Sequence, residues 1–543
     1  MVPETETAPV PAPAASNGPW APLADRVYRS LWLAQLGSNI GSWMQVVGAQ
    51  WLLVERPNAS TLVALVQTAS LLPVMLISLP AGVLADVFDR RRLLLVVQAG
   101  MAVTAGVLAA LTAAGLTTPA LLLTLTFLLG CGQAVVGPAW QAIQPELVPR
   151  AQIPAAATLG SLTVNLARAV GPAAAGAIVA ATGPAAVFTI NAASFLLVVV
   201  ALAAWHRKVP DSAPRAERAI AALHAGTRYV RNAPSVRRLL LRSALFVVPG
   251  SALWALLPVV ARQRLHMGAG GYGILLGALG VGAVAGALTL SQLRAKVTAN
   301  QLLAAAAVVF GISTVSLAVL SNAAAVAVAM VLGGAAWIAV LSTLNSSLQL
   351  TLPAWVRARG LAAYLLVFMG GQALGSLLWG VLAGAVGERW TLAAAAGLLV
   401  LAAVSVPRWP LLAGTGRLDR TPTAHWPDPT LVFEPAEDDG PVLVVKRYQV
   451  AAANQAAFLR AMDFVARSRR RTGASEWGLY RDGALAGQFV EVFAVPSWGE
   501  HLRQHADRLT GADREFEQRA NELTETEPTI EHLLPPGAPP VAG

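Results

Sequence analysis

Charge is scarce in this chain and cysteine is all but missing. Charged residues fill 13% of the 543 positions and hydrophobic ones 55%, with a mean hydropathy of +0.58. So apolar a composition excludes an ordinary soluble globular protein. The single cysteine, Cys131, lies inside an apolar run, so no intramolecular disulfide framework is available. No G-x-x-x-x-G-K-[ST] segment occurs, which argues against a nucleotide-driven pump on this chain. The first 25 residues contain no Lys or Arg, unlike a signal peptide, and read as a disordered cytoplasmic tail rich in Pro and Ala. The deepest absence is of titratable groups: the apolar runs hold no Asp, Glu, His or Lys near their middles.

What remains is a series of apolar runs, each long enough to cross a hydrocarbon core of roughly 30 Å as a helix. Their spans fall near 29–54, 60–85, 93–114, 118–143, 155–181, 185–205, 240–261, 271–293, 298–320, 323–350, 361–385 and 390–407. The expected fold is an all-α polytopic membrane protein with twelve transmembrane helices. Lys and Arg crowd alternate loops: Arg90 to Arg92, Arg150, a dense set from Arg207 to Arg242, Arg294 and Lys296, and Arg357 and Arg359. The other loops carry only Arg56, Arg262, Arg264 and Arg389. The positive-inside rule then places both termini in the cytoplasm and the chain in the cytoplasmic membrane. The net charge of +10 is spent on these loops, so nucleic acid is not an expected partner.

Six spans precede and six follow a charged connection at 206–239, which contains ALHAGTRYVRNAPSVRRLLLR, an amphipathic helix at the cytoplasmic surface. The halves, 26–205 and 240–407, resemble each other: RAVGPAAAG at 168–176 aligns with QALGSLLWG at 372–380, an offset of 204 residues. Both stretches sit in the fifth span of their half, so the plan is two six-helix repeats with a site between them. A linker at 408–440 leads to a soluble α+β region at 441–534 and a tail at 535–543. There VLVVKRYQV, SEWGLYRD, QFVEVFAV and TIEHLL read as strands. Asn454 reads as a helix cap, Arg469 to Arg471 as cations at that helix's end, and SWGE as a capping box. The order is β-α-β-β-α-β, a ferredoxin-like plan. His501 and His505 are four apart on one helix; with no third ligand evident they read as a solvated face, and no metal or cofactor is expected.

The loop AGVLADVFDRRRLLL resembles the inner-loop signature of the major facilitator superfamily. Gly82, Leu84, Ala85, Asp86, Arg90 and Arg91 match; Val87 and Asp89 depart from the pattern. Gly171, Pro172 and Gly176 resemble the fifth-helix signature of the superfamily's antiporters and exporters, in which proline bends the helix and small residues admit a neighbour. SNIGSWMQ, QPELVPRAQ and AGTRYVRNAPSVRRLL are similar to the enterobactin-exporter-type branch. The C-terminal region resembles antibiotic-biosynthesis-monooxygenase-like dimeric barrels. The resemblance implies the major facilitator fold, with Gly82, Asp86, Arg90 and Arg91 gating the inner loop. It further implies export of a small organic molecule by alternating access, driven by a proton gradient.

Arg168 stands alone. It lies about thirteen residues into its span, roughly 20 Å from the inner end, where an arginine costs about 2.5–3.5 kcal/mol. It keeps its proton at any useful pH, so it serves either to attract an anionic or phenolic solute or to bond helix carbonyls in one gate state. Further cavity candidates are Asn165, Asn39, Gln45, Gln50, Gln141, Trp254, Asn345 and Gln372, the last at the repeat position of Arg168. Glu55, Asp86 and Glu146, at span ends, are the proton-coupling candidates. The leading expectation is a secondary exporter of a siderophore, antibiotic or similar amphipathic solute, probed against two alternatives: a transporter fused to a solute-modifying enzyme, and a non-transporting membrane sensor. Expected partners are the solute, protons and the lipid bilayer. Dimerisation or regulation is the preferred role for residues 441–534.

Overall fold

The computed structural model describes residues 18–205, 219–411 and 435–536, with isolated positions between 419 and 433. The side chains of 78, 79, 82, 83, 85–87 and 219–224 lie outside the described residues, and with them those of Gly82 and Asp86.

The first six long helices are α1 (Arg26–Leu53), α2 (Ala59–Val87), α3 (Arg90–Ala113), α4 (Pro119–Leu147), α5 (Ile153–Thr182) and α6 (Pro184–Ala204). After the short α7 (Ala219–Asn232) come α8 (Pro234–Val259), α9 (Ala269–Lys296), α10 (Ala299–Val319), α11 (Ala323–Thr351), α12 (Arg357–Val386) and α13 (Glu388–Val404). Among the described residues, ten helices are long and apolar enough to cross a membrane. The two others named are α1 and α13. Helix α13 has only 17 residues, and α1 is diluted by Arg26, Arg29 and the buried amides Gln35, Gln45 and Gln50. Both still pack inside the bundle, α1 on α5 and α6, α13 on α8 and α10.

Local chemistry sets the helix ends. Thr118 accepts a bond from the Leu121 amide ahead of Pro119, Thr298 and Gln301 form a capping box, and Asn322 caps α11. Gly183 and Gly387, themselves 204 residues apart, both take φ of 86° at the α5–α6 and α12–α13 turns, a conformation that favours glycine. Packing repeats in the same way. Helix α1 meets α5 and α6, as α8 meets α12 and α13; α2 meets α4, as α9 meets α11; α3 meets α4 and α6, as α10 meets α11 and α13. Between the groups, α5 packs on α9 and α12 on α2.

The connection does not form the single amphipathic helix expected from its sequence. Helix α7 ends at Asn232, and Pro234 opens α8, because proline disfavours helical geometry in the residue before it and cannot donate a bond to the preceding turn. Nor is α7 a free surface element, since it packs between α12 and the C-terminal domain.

That domain runs β1 (Val442–Gln449), α14 (Gln455–Thr472), β2 (Glu476–Arg481), β3 (Gln488–Val495), α15 (Trp498–Arg503), a π turn at Gln504–Arg508, α16 (Gly511–Asn521) and β4 (Thr529–Leu533). The sheet order is β2-β3-β1-β4, all antiparallel. Tyr448, Phe458, Met462, Val465 and Phe489 fill the space between sheet and helices. One local expectation changes. Asn454 makes no side-chain cap, because a 3-10 turn at Ala452–Asn454 leads directly into α14. Arg469 to Arg471 do stand in the last turn of α14, and Arg469 and Arg471 are in addition buried. Arg469 reaches Glu491 at 3.0 Å and Glu517 at 2.5 Å, and Arg471 pairs with Asp513. Burial opposes the Arg469 charge, but Glu491 and Glu517 outweigh it and raise its pKa.

Candidate functional site

The two fifth-span helices place the site. A Cβ on Gly171 of α5 would lie 2.7 Å from Trp43 Cβ, and one on Gly176 would lie 2.6 Å from Gly273 Cα. Glycine is what lets α1 and α9 approach so closely. In α12, Gly375 is pressed in the same way against Val248 and Ser251 of α8, and Gly380 against Ala64 of α2. The repeat seen in sequence is therefore a repeat of contacts: each fifth-span helix uses its first glycine within its own group and its second to cross to the other. Pro172 is buried between the two α5 glycines.

Gly171 also seats Trp43 beside Arg168. The Arg168 guanidinium carbon lies 5.7 Å from the Trp43 ring centre, a cation–π contact worth about 0.5–2 kcal/mol. Trp43 is 6.4 Å from Trp254, which is 5.5 Å from Trp337. Trp337 in turn touches Phe246, Phe310 and Phe368. A cation on α5 thus begins an aromatic array that runs across the meeting of the two groups. Among the described residues Arg168 makes no hydrogen bond or ion pair; it is half-buried. The contrast is Arg242 of α8, 5% exposed. It donates five hydrogen bonds to Ala402, Ser405 and Trp409 at the end of α13. Sequence reading left Arg242 among the loop cations, with no signal for this role.

The remaining candidates scatter. Trp254 is in the array, and its Nε1 is buried without a bond. Gln45 accepts from Asn191 at 3.2 Å and Gln50 from the Tyr272 hydroxyl at 2.7 Å, so both join helices together. Asn39 bonds the Gln35 carbonyl, and Asn165 that of Ser161. Asn165 and Gln141 are exposed, Asn345 accepts from Gln349, and Gln372 is buried.

At the end of the bundle nearest the C-terminal domain, Arg90 bonds Glu146 at 2.9 Å and the Ala142 carbonyl. Arg91 bonds the carbonyls of Leu202 and Ala203. Arg90 and Arg91 thereby clamp α3 to α4 and α6. Asp89, which departs from the family pattern, caps α3 by accepting from the Arg92 amide. At the far end Glu55 pairs with Arg262 at 2.6 Å beside a recess of about 430 Å³. Trp51 stacks on Tyr272, Ser60 bonds Glu388 and Thr61 bonds the Gly380 carbonyl. The far end is thus cross-linked between the groups.

The C-terminal domain docks through charge and rings. Arg228 of α7 reaches Glu500 at 3.4 Å; Arg508 reaches Glu500 at 2.5 Å and stacks on Trp355 in the α11–α12 connection. Tyr229 meets Trp355 edge-on at 5.6 Å and also receives Arg471. Burial would raise the Glu500 pKa, but Arg508 and Arg503 outweigh it and hold this carboxyl below its usual range. Ser497 supplies its half of the expected capping box, accepting from the Glu500 amide, while the Glu500 carboxylate turns to the arginines. His501, expected on a solvated face, is fully buried, because β4 pairs with β1 and brings His532 against α15. His501, His505 and His532 form one cluster. Burial first, and then His505 and His532, push the His501 pKa down to about 3.

Apolar helices in two like-packed groups, cross-linked at one end, give a membrane architecture of the major facilitator type. The fold matches a bacterial homolog of the human lysosomal transporter Spinster in an inward-facing, unoccupied conformation, with TM-score 0.56, 14% identity, 70% of this chain and 95% of that one. It also matches the nucleoside transporter NupG, with TM-score 0.54, 14% identity, 71% of this chain and 99% of that one. The sequence profile of the transmembrane secretion effector family matches residues 17–538, and the chain belongs to that family. Among curated proteins it is 26% identical to the staphyloferrin A transporter of Staphylococcus aureus over 228 residues, 41% of this chain and 56% of that protein. It is 28% identical to the multidrug efflux pump Tap of Mycobacterium tuberculosis over 271 residues, 45% of this chain and 64% of that protein. The chain thus matches between half and two thirds of these relatives' length.

Proposed function

We propose that the protein is a secondary exporter of an amphipathic, anionic or phenolic small molecule of the siderophore or antibiotic class. Twelve spans, arranged as two six-helix repeats, alternate access to a site between them. The observation that carries this reading is the Arg168–Trp43–Trp254–Trp337 array. A cation without a described protein bond, set at one end of a ring-lined interface, suits a solute with both an acidic oxygen and a broad apolar face. The similarity to the staphyloferrin A transporter and to the multidrug efflux pump Tap supports a small organic solute. The Lys and Arg distribution supports a cytoplasmic location for both termini. The cross-linked far end is then the outer face, and the structure is closed outward. Proton antiport would use Glu55, Asp86 or Glu146; Glu55 and Glu146 each hold an ion pair at opposite ends of the bundle.

The C-terminal domain, ferredoxin-like in plan, regulates rather than reacts in this reading. Its docking on α7 and Trp355 ties it to the second repeat and to the connection between repeats, the parts that must move in alternating access. The test is uptake into everted membrane vesicles of a panel of carboxylate, catecholate and cationic amphiphiles, with and without a proton gradient. Gradient-dependent accumulation of anionic members supports the proposal; accumulation of none, in vesicles shown to contain the folded protein, refutes it.

A further inference from the structure

The buried histidine cluster has no part in the transport reading. His501 Nε2 and His505 Nε2 face each other at 3.2 Å. Two ligand nitrogens on one tetrahedral zinc ion, each at 2.0–2.1 Å, stand about 3.3 Å apart. The ligating atoms of His501, His505 and His532 all lie within 4.8 Å of one another. They converge from two elements: His501 and His505 from α15 and the π turn that extends it, and His532 from β4, the edge strand of the sheet. π turns inside helices recur at functional sites, and an edge strand with one neighbour can shift the small distance needed to close the third ligand.

The surroundings fit a metal better than a plain core. Trp498 meets His501 and His532, and Trp426 meets His505 edge-on at 4.7 Å, so indole rings wall the cluster. Its core nitrogen is expensive: His501 is fully buried, and its Nδ1 has no hydrogen-bond partner. A core built only for packing would place phenylalanine there and avoid that cost. His505 and His532 are half-buried, which leaves an approach from solvent. Three imidazoles without a carboxylate or thiolate suit zinc or its late-transition-metal neighbours, and disfavour magnesium and calcium, which take oxygen ligands.

We propose that His501, His505 and His532 bind a single divalent transition-metal ion of the zinc class, leaving one coordination position for water or a further ligand. His501 follows Glu500 directly in the chain, and Arg508 closes the same π turn. Metal binding and docking on the membrane bundle therefore share one helical segment.

The test uses full-length protein purified in detergent without a polyhistidine tag, stripped with a chelator and titrated with zinc chloride alone. The expected result is about one zinc per chain, retained on gel filtration and competing with a chromophoric chelator. Removing a half-buried ligand, as His505→Ala or His532→Ala, should weaken zinc binding by about 100-fold or more. Each variant should keep the metal-free melting temperature of the parent. Cobalt should give the intense visible bands of a tetrahedral site in the parent and lose them in both variants. Substoichiometric zinc in the parent, or His532→Ala binding zinc like the parent, would overturn the proposal and leave the three rings as aromatic packing.

Discussion

The two groups of six helices share a skeleton and differ in what they hang on it. Gly171 and Gly176 of α5 and Gly375 and Gly380 of α12 make equivalent close approaches, yet between repeat-equivalent positions one carries Arg168 and the other Gln372. The first group supplies a cation with one indole beside it; the second supplies most of the rings, Trp254, Trp337, Phe246, Phe310 and Phe368, and with Trp355 it shares the docking of the C-terminal domain with α7. In the proposed exporter, backbone contacts that every cycle must re-form are kept the same. On the same proposal, side chains that meet a solute from opposite sides differ, because a solute without two-fold symmetry presents different chemistry to each.

The sharpest contrast is between two arginines. Arg242, with five bonds to the end of α13, is structural, whereas Arg168 is held by a single ring. Arg242→Ala should lower stability by about 3–5 kcal/mol, the scale for breaking a buried charged network, measured as a loss of melting temperature in detergent. Arg168→Ala should leave that temperature nearly unchanged; equal losses in both would erase the distinction. In transport the order inverts. Arg168→Ala should cut the export rate of an anionic solute about ten- to a hundred-fold, the loss expected of one or two charge-assisted bonds. Gln372→Ala should cost only a few-fold.

The shared skeleton can be broken symmetrically. Gly176→Val and Gly380→Val each drive a side chain into a facing helix, costing about 1–3 kcal/mol and slowing transport alike. If one position tolerates valine in a vesicle assay and the other does not, the repeat of contacts is not a repeat of function. The smallest effect belongs to the docking contact on α7, between Arg228 and Glu500. The folded pKa of Glu500 lies below its unfolded value of about 4.3. Its contribution is therefore intact at neutral pH and is lost only as pH falls below the unfolded value and through the lower folded one. Tryptophan fluorescence during acid titration should show a transition there that Glu500→Gln lacks.

Much of the bundle was legible from sequence because its signals are local: apolar run length, glycine and proline punctuation, and the 204-residue offset. Helix α1 blurred that signal. Its buried amides look like cavity residues, yet Gln45 and Gln50 find partners on α6 and α9 that no local pattern announces. Arg242 reads as a loop cation until α13 folds back over it. The C-terminal domain shows the same limit. His501 and His505 are visible as a spacing, but His532 joins them only through the antiparallel pairing of β4 with β1. Likewise, Arg469 and Arg471 read only as cations at a helix end until Glu491, Glu517 and Asp513 arrive from other elements. The candidate site was legible as a lone charge; its indole partner was not, because the seat that Gly171 makes for Trp43 is a property of two helices.

The central claim is that Arg168 recognises an acidic oxygen on the exported solute. The direct measurement compares export of an amphipathic carboxylic acid with that of its methyl ester, in wild type and in Arg168→Gln. The account predicts a clear preference for the acid in wild type that disappears in Arg168→Gln through loss of acid transport, with ester transport little changed. An acid preference that survives in Arg168→Gln would contradict it.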